Sequence, residues 1–155
     1  MEESLNKSII DKSEVMPILP EVKEEVNAYQ YSPLSLAYLG DSVLDLMVKA
    51  YFVGNVNKQT YKYHKDVTRI VNAVNQSEFV DIIIDELSEE EMDIYKRGRN
   101  ANAHSKAKNA TRSEYRKATG LEALLGYLYL KGKKDRLEYF TDKIIRLYLD
   151  KNENK

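Results

Sequence analysis

Asp41 and Asp45 interrupt an otherwise apolar stretch, "LAYLGDSVLDL" at 36–46, and Glu122 is the only charge in "ATGLEALLGYLYL" at 118–130. Carboxylates are almost never fully buried without a partner, so charges in such surroundings ask for a role. Hard carboxylate oxygens suit Mg2+, which binds through one or two carboxylates, water and substrate phosphate. Such a metal acidifies water and stabilises the charge developing at phosphorus. Structural readings compete at each residue. Asp41 could pair with a basic helix. Asp45 stands four residues before Lys49, a routine helix pair. Thr119 and Glu122 have the T-x-x-E spacing of a capping box. A carboxylate has two oxygens, so capping and ligation can share Glu122. Gly126, one turn on, leaves room beside that carboxylate for a close helix or an ion.

The charge distribution supplies a second feature. The whole chain carries 24 basic and 25 acidic residues, a net −1 that says nothing about partners. Yet residues 96–117, "KRGRNANAHSKAKNATRSEYRK", hold eight Lys or Arg against one Glu, while 78–95 hold eight acids and no base. A basic run is often only a solvated loop. Small residues with Asn and Arg also suit phosphate, because a compliant backbone follows a groove and Arg grips phosphate through two N–H groups. Lys58, Lys62, Lys65 and Arg69, three and four residues apart, form a second basic stripe; taken alone it reads as an exposed helix face.

The elements that must position these residues read as helix after helix. Pro33 marks the entry to a long helix over 34–53. At ~100° per residue, Leu36, Leu39, Val43, Leu46, Met47 and Ala50 form its core stripe, with Asp41 and Asp45 opposite. Asp41's own neighbours there are Leu34, Ala37 and Val48, with Phe52 a turn on, so burial on more than one side is expected. Gly40 admits a second helix closely. Further helices are expected over 58–74, 77–86, 112–131 and 135–149. "SEEE" at 88–91 is a capping box with Ser88 as N-cap and Glu91 as its return partner, opening a short acidic helix that ends near Gly98. A loop rich in Ala, Asn and Lys runs to about Ala110. "FVDIII" has strand character but fits an amphipathic helix equally. All-α is the expected class. The expected domains are a flexible tail over 1–20, a folded unit over 21–150 and a polar tail over 151–155.

Composition removes several alternatives. The 155 residues suffice for one domain with an ordinary core. There is no cysteine, which excludes disulfides, thiol nucleophiles and Cys-based zinc sites. His64 and His104 are the only histidines, too few for a His-rich metal centre. The polar, acidic N-terminus is no signal peptide, and no apolar run is long enough for a membrane span. A cytoplasmic location is expected.

The two carboxylate segments also resemble a known family. "LAYLGDSVLDL" is similar to the signature helix of ribonuclease III, and "TGLEALLGYLYL" to that family's second catalytic segment, in the right order. The resemblance runs from Leu34 to Leu130. With the basic segment between them and no room for a double-stranded-RNA-binding domain, the chain resembles the Mini-ribonuclease III branch, the bare nuclease domain. The resemblance implies the ribonuclease III endonuclease-domain fold as a homodimer whose signature helices pair. It implies Mg2+-dependent cleavage of double-stranded RNA, with Mn2+ as a substitute, in maturation of bacterial large-subunit (23S) ribosomal RNA. A ribosomal protein presenting the substrate is a further expected partner.

By the same resemblance Asp41 and Glu122 are catalytic metal ligands, with Asp45 ranked third. Ala37, Leu34 and Thr119 stand where full-length members carry acids, so weak metal affinity without RNA is expected. The expected RNA-binding residues are Arg97, Arg99, Asn100, Lys106, Lys108, Arg112, Tyr115 and Arg116. Two other classes stay open: a catalytically silent RNA-binding protein on the same fold, and a helical protein-interaction module. The second leaves Asp41 and Glu122 unexplained.

Overall fold

The computed structural model describes residues 30–101 and 110–153. Among the described residues six α-helices follow one another: α1 (Pro33–Asn55), α2 (Thr60–Val71), α3 (Ala73–Ile83), α4 (Glu89–Asn100), α5 (Arg112–Leu130) and α6 (Lys134–Glu153). A 3-10 turn, Ile84–Glu86, extends α3. No strand occurs among the described residues, and "FVDIII" is helical. None of the described helices is long and apolar enough to cross a membrane.

Local chemistry sets the helix boundaries. Pro33 occupies the first turn of α1, where its missing N–H costs nothing. Asn72 caps α3, its side chain accepting from the Asn75 amide at 2.9 Å. The Ser88 box is complete: Ser88 N–H donates to Glu91 Oε1 at 2.9 Å and Glu91 N–H to Ser88 Oγ at 3.1 Å. α5 opens on a second complete box, Thr111 with Glu114, at 2.9 and 3.1 Å. This corrects the reading of Thr119 and Glu122 as a cap. Both lie in mid-helix, where the Thr119 hydroxyl donates to the Tyr115 carbonyl at 3.0 Å. α5 closes through a Schellman turn: Lys133 N–H donates to Leu128 O, Gly132 N–H donates to Tyr129 O, and Gly132 takes φ +67°.

α5 is the axis of the molecule, packed against α1, α3, α4 and α6. Leu121, Ala123, Leu124, Leu125, Tyr127 and Leu128 are all buried. Small residues let its neighbours approach. A Cβ on Gly120 would meet the Tyr95 ring at 2.6 Å, and one on Gly98 would meet Ala123 Cβ at the same distance. α6 is tied across by Arg136, whose guanidinium grips the Glu91 carboxylate at 2.7 and 2.9 Å and lies 4.5 Å from the Phe140 ring centre. The Glu91 carboxyl is held below its ordinary range, these bonds outweighing a larger desolvation effect that acts the other way.

The buried face of α1 differs from the sequence expectation. Leu36, Ala37, Gly40, Val43, Leu44, Val48 and Phe52 are buried. Leu46 is 55% exposed, Ala50 is exposed, and Leu39 and Met47 are half-buried. The helix is apolar nearly all round, so periodicity alone misplaces the seam. The packed arc is the one holding Ala37 and Gly40, because small residues let α5 come close. The opposite arc leaves Tyr38 85% and Val53 59% exposed in the protomer.

Candidate two-carboxylate site between α1 and α5

Asp41 and Glu122 are brought together by glycine. A Cβ on Gly40 would fall 1.7 Å from the Glu122 carbonyl oxygen and 2.8 Å from the Gly126 nitrogen. A Cβ on Gly126 would fall 2.1 Å from the Leu36 carbonyl oxygen and 3.1 Å from the Gly40 nitrogen. The two helices therefore touch backbone to backbone, with Asp41 next in sequence to Gly40 and Glu122 at the contact itself. The room left by Gly126 is filled by α1.

The electrostatics follow from that contact. Burial pushes the Glu122 carboxyl up to about 7; the Asp41 charge adds to the rise, and a hydrogen bond from Gln76 opposes it. Asp41 is more exposed, yet its carboxyl is also raised, first by desolvation and then by Asp45. Both carboxyls are raised by desolvation first and by a neighbouring acid second, as expected of acids gathered in one partly buried place. Hard oxygen donors of this kind fit a divalent cation such as Mg2+. No group of three or more His, Cys, Asp or Glu suited to a metal occurs among the described residues.

The remaining expected residues fall into distinct settings. Asp45 is half-buried and pairs with Lys49 at 2.8 Å, while remaining close enough to raise Asp41. Ala37 and Thr119, standing where acids were expected, are buried at 5% and 7% exposure, so each is part of the packing. Gly98 near the end of α4 lies against Thr119, Gly120 and Ala123, which places Arg97, Arg99 and Asn100 beside the turn that carries Glu122. Arg97 is half-buried. Arg99 lies 5.7 Å from the Tyr95 ring centre and donates from Nε to Asn100 Oδ1 at 3.2 Å. Arg112 and Arg116 are exposed on the first turns of α5, and Tyr115 is half-buried. Lys106 and Lys108 lie outside the described residues. In the second stripe Lys58 is taken by Asp66 at 2.7 Å, while Lys62, Lys65 and Arg69 are exposed. Four of the eight acids of the acidic segment are matched within the chain: Asp81 by Lys117, Glu86 by Lys143, Glu91 by Arg136 and Glu78 by Lys151.

Sequence reasoning missed Gln76. It is 1% exposed and donates from Nε2 to Glu122 Oε1 at 3.1 Å. The available signal was its register, for Gln76, Phe79, Val80 and Ile83 form one stripe that is otherwise apolar and is buried throughout.

Comparison with known proteins gives a consistent picture. The family model of the ribonuclease III domain matches residues 34–133. A Mini-ribonuclease 3 of Staphylococcus aureus is 42% identical over 118 residues, covering 75% of this chain and 88% of that protein. The Mini-ribonuclease 3 of a Thermoanaerobacter species is 46% identical over 107 residues, 69% of this chain and 75% of that protein. A crystal structure of protein FN1578 from Fusobacterium nucleatum superimposes with a TM-score of 0.71 at 32% identity, over 79% of this chain and 98% of that one.

Proposed function

This chain belongs to the ribonuclease III family, in its Mini-ribonuclease 3 branch, and on that premise we propose that Asp41 and Glu122 are the residues with which it cleaves double-stranded RNA. It is an endoribonuclease of a family that depends on divalent metal. The observation that supports the assignment is the backbone contact of Gly40 with Glu122 and Gly126, which brings together the helix turns that carry Asp41 and Glu122, near enough for the Asp41 charge to act on Glu122. Their oxygens hold the cation, Mg2+ or Mn2+. When bound, that cation acidifies water and offsets the charge growing on the scissile phosphate.

The chain's own residues supply the remaining tasks. Arg97, Arg99, Arg112 and Arg116, with Asn100 and Tyr115 and with Lys106 and Lys108, hold the duplex through its phosphates and 2′-hydroxyls, because A-form RNA is read by shape. Asp45 stays with Lys49 and tunes Asp41 at a distance. Only two carboxylates serve the cation, so affinity is weak until RNA phosphate joins the site. Calorimetry finding two tight Mg2+ sites per protomer without RNA would overturn that last point.

The reading extends to assembly and role. A second copy covers the exposed apolar arc of α1, and the resulting homodimer carries two sites, one for each strand. The nuclease domain is assigned to 21–150; residues 1–29, 102–109 and 154–155 lie outside the described residues. The substrate is a precursor of bacterial 23S ribosomal RNA, met in the cytoplasm and presented with a ribosomal protein. The decisive experiment incubates wild type and Asp41→Asn with double-stranded RNA and Mg2+. Cleavage by wild type alone supports the assignment. Binding without cleavage by either makes the protein a silent RNA binder, and no binding by either makes it an interaction module.

A further inference from the structure

Gln76 stands at a corner where α2 meets α3. A helix leaves its last four carbonyls without donors of its own. At the end of α2 all four are taken by side-chain amides. Asn72 Nδ2 donates to Thr68 O at 3.2 Å and Arg69 O at 2.7 Å. Asn75 Nδ2 donates to Ile70 O at 2.9 Å, and Gln76 Nε2 to Val71 O at 2.7 Å. Of these three amides only Gln76 also reaches the site, through its bond of 3.1 Å to Glu122 Oε1.

Two further features distinguish this side chain. Both of its partners are acceptors, so its N–H groups must face them. Turning the amide over would set Oε1 against a carbonyl and a carboxylate. That fixes the amide, and with it one oxygen of Glu122. The arrangement also leaves Gln76 Oε1 buried with no donor among the described residues. A buried acceptor without a donor is costly, and the position lies on an apolar stripe where Met or Leu would avoid the cost. The cap on Val71 O accounts for one of its N–H groups; the other has Glu122 as its partner.

We propose that Gln76 is a positioning residue for Glu122. Its buried carboxamide anchors Oε1 to the corner between α2 and α3 and leaves Oε2 to the cation. The inference rests on Glu122 being a metal ligand, as proposed above. Residues that orient a ligand from behind are worth roughly 10–100-fold in metal affinity or activity.

The test compares wild type, Gln76→Met, Gln76→Asn and Asn75→Ala. Asn75→Ala breaks the same corner without touching Glu122. Three quantities are measured: Mn2+ binding to the RNA-free protein by water-proton relaxation, the metal concentration giving half-maximal cleavage, and duplex binding in chelator. Gln76→Met and Gln76→Asn are expected to weaken Mn2+ binding and raise the half-saturating metal by about 10-fold or more. Duplex binding should stay within about twofold, and Gln76→Met, which loses the bond to Val71 O as Asn75→Ala loses the bond to Ile70 O, should melt no lower than Asn75→Ala because it also removes the orphaned acceptor. Asn75→Ala should lower the melting temperature and leave both metal readings unchanged. If one substitution at 76 prevents folding, the other carries the comparison. Unchanged metal readings at 76, or an equal shift in Asn75→Ala, overturn the proposal. A wild type that cleaves without regard to metal overturns both this inference and the ligand assignment.

Discussion

At the residue scale, the candidate site is two acids whose carboxyls are both raised, by desolvation first and by a neighbouring acid second. Asp41→Asn keeps the shape but removes the charge; as a weakened hold on the cation that offsets charge on the phosphate, it is expected to lower cleavage by at least about 100-fold, with duplex binding in chelator retained. Equal loss of binding and cleavage would assign Asp41 to folding instead. Glu122 makes a stability prediction in the metal-free protein. Its carboxyl, ordinarily near 4.5, is pushed up to about 7 by burial. The folded protein therefore keeps a proton that the unfolded chain releases. That contribution is full below about pH 4.5 and is lost as pH rises through about 7. Glu122→Gln should consequently be more stable than wild type at pH 8, by on the order of 1–3 kcal/mol, and the gap should close by pH 5. Denaturant melts at the two pH values check this, and a gap independent of pH would refute it. Both acids were legible in the sequence because a lone charge in an apolar helix is a local anomaly. Gln76 was not, because a neutral amide in a helix is ordinary until its neighbours at 79, 80 and 83 are seen to be buried.

At the element scale, α1 and α5 are held so close that one methyl group is too much. Gly40→Ala would place a Cβ inside the Glu122 carbonyl, and the helices must part. Ala favours a helix over Gly by about 1 kcal/mol, but overpacking costs typically 1–3 kcal/mol and occasionally more. A lower melting temperature is expected together with cleavage lost out of proportion to the fraction unfolded. A variant as stable and active as wild type would mean the contact is looser than described. The helices themselves were readable where a side chain closes the backbone's free ends, as at Pro33 and the Ser88 box. The same motif misled at Thr119. The spacing T-x-x-E occurs twice in α5, and the box that forms is Thr111 with Glu114, at the helix start. The inner arc of α1 was misassigned for a different reason. Hydrophobicity ranks Leu46 above Gly40, but close approach of two backbones selects for the absence of a side chain.

At the scale of the whole molecule, one face of α1 is packed and the other bears exposed Tyr38, Leu46 and Val53. Leu46→Glu would put a like charge at both sides of a two-fold contact. Sedimentation should show the wild type as a dimer and the variant shifted towards monomer, and an unchanged wild-type monomer would remove the homodimer from the reading. Duplex affinity should fall steeply with salt, the logarithmic slope dropping by roughly one for each basic contact deleted among Arg97, Arg99, Arg112 and Arg116. A slope near zero would move the grip elsewhere. The central position of α5 has a further consequence. It is enclosed by α1, α3, α4 and α6, and its residues from Ala118 to Leu128, apart from Glu122, are buried. Hydrogen exchange along α5 should therefore report the global unfolding free energy, whereas α2, with only Val67 and Ile70 buried, should exchange through smaller openings. Glu122, the ligand proposed above, then sits on the last segment to come undone, and a movement that admits RNA would come from the elements around it.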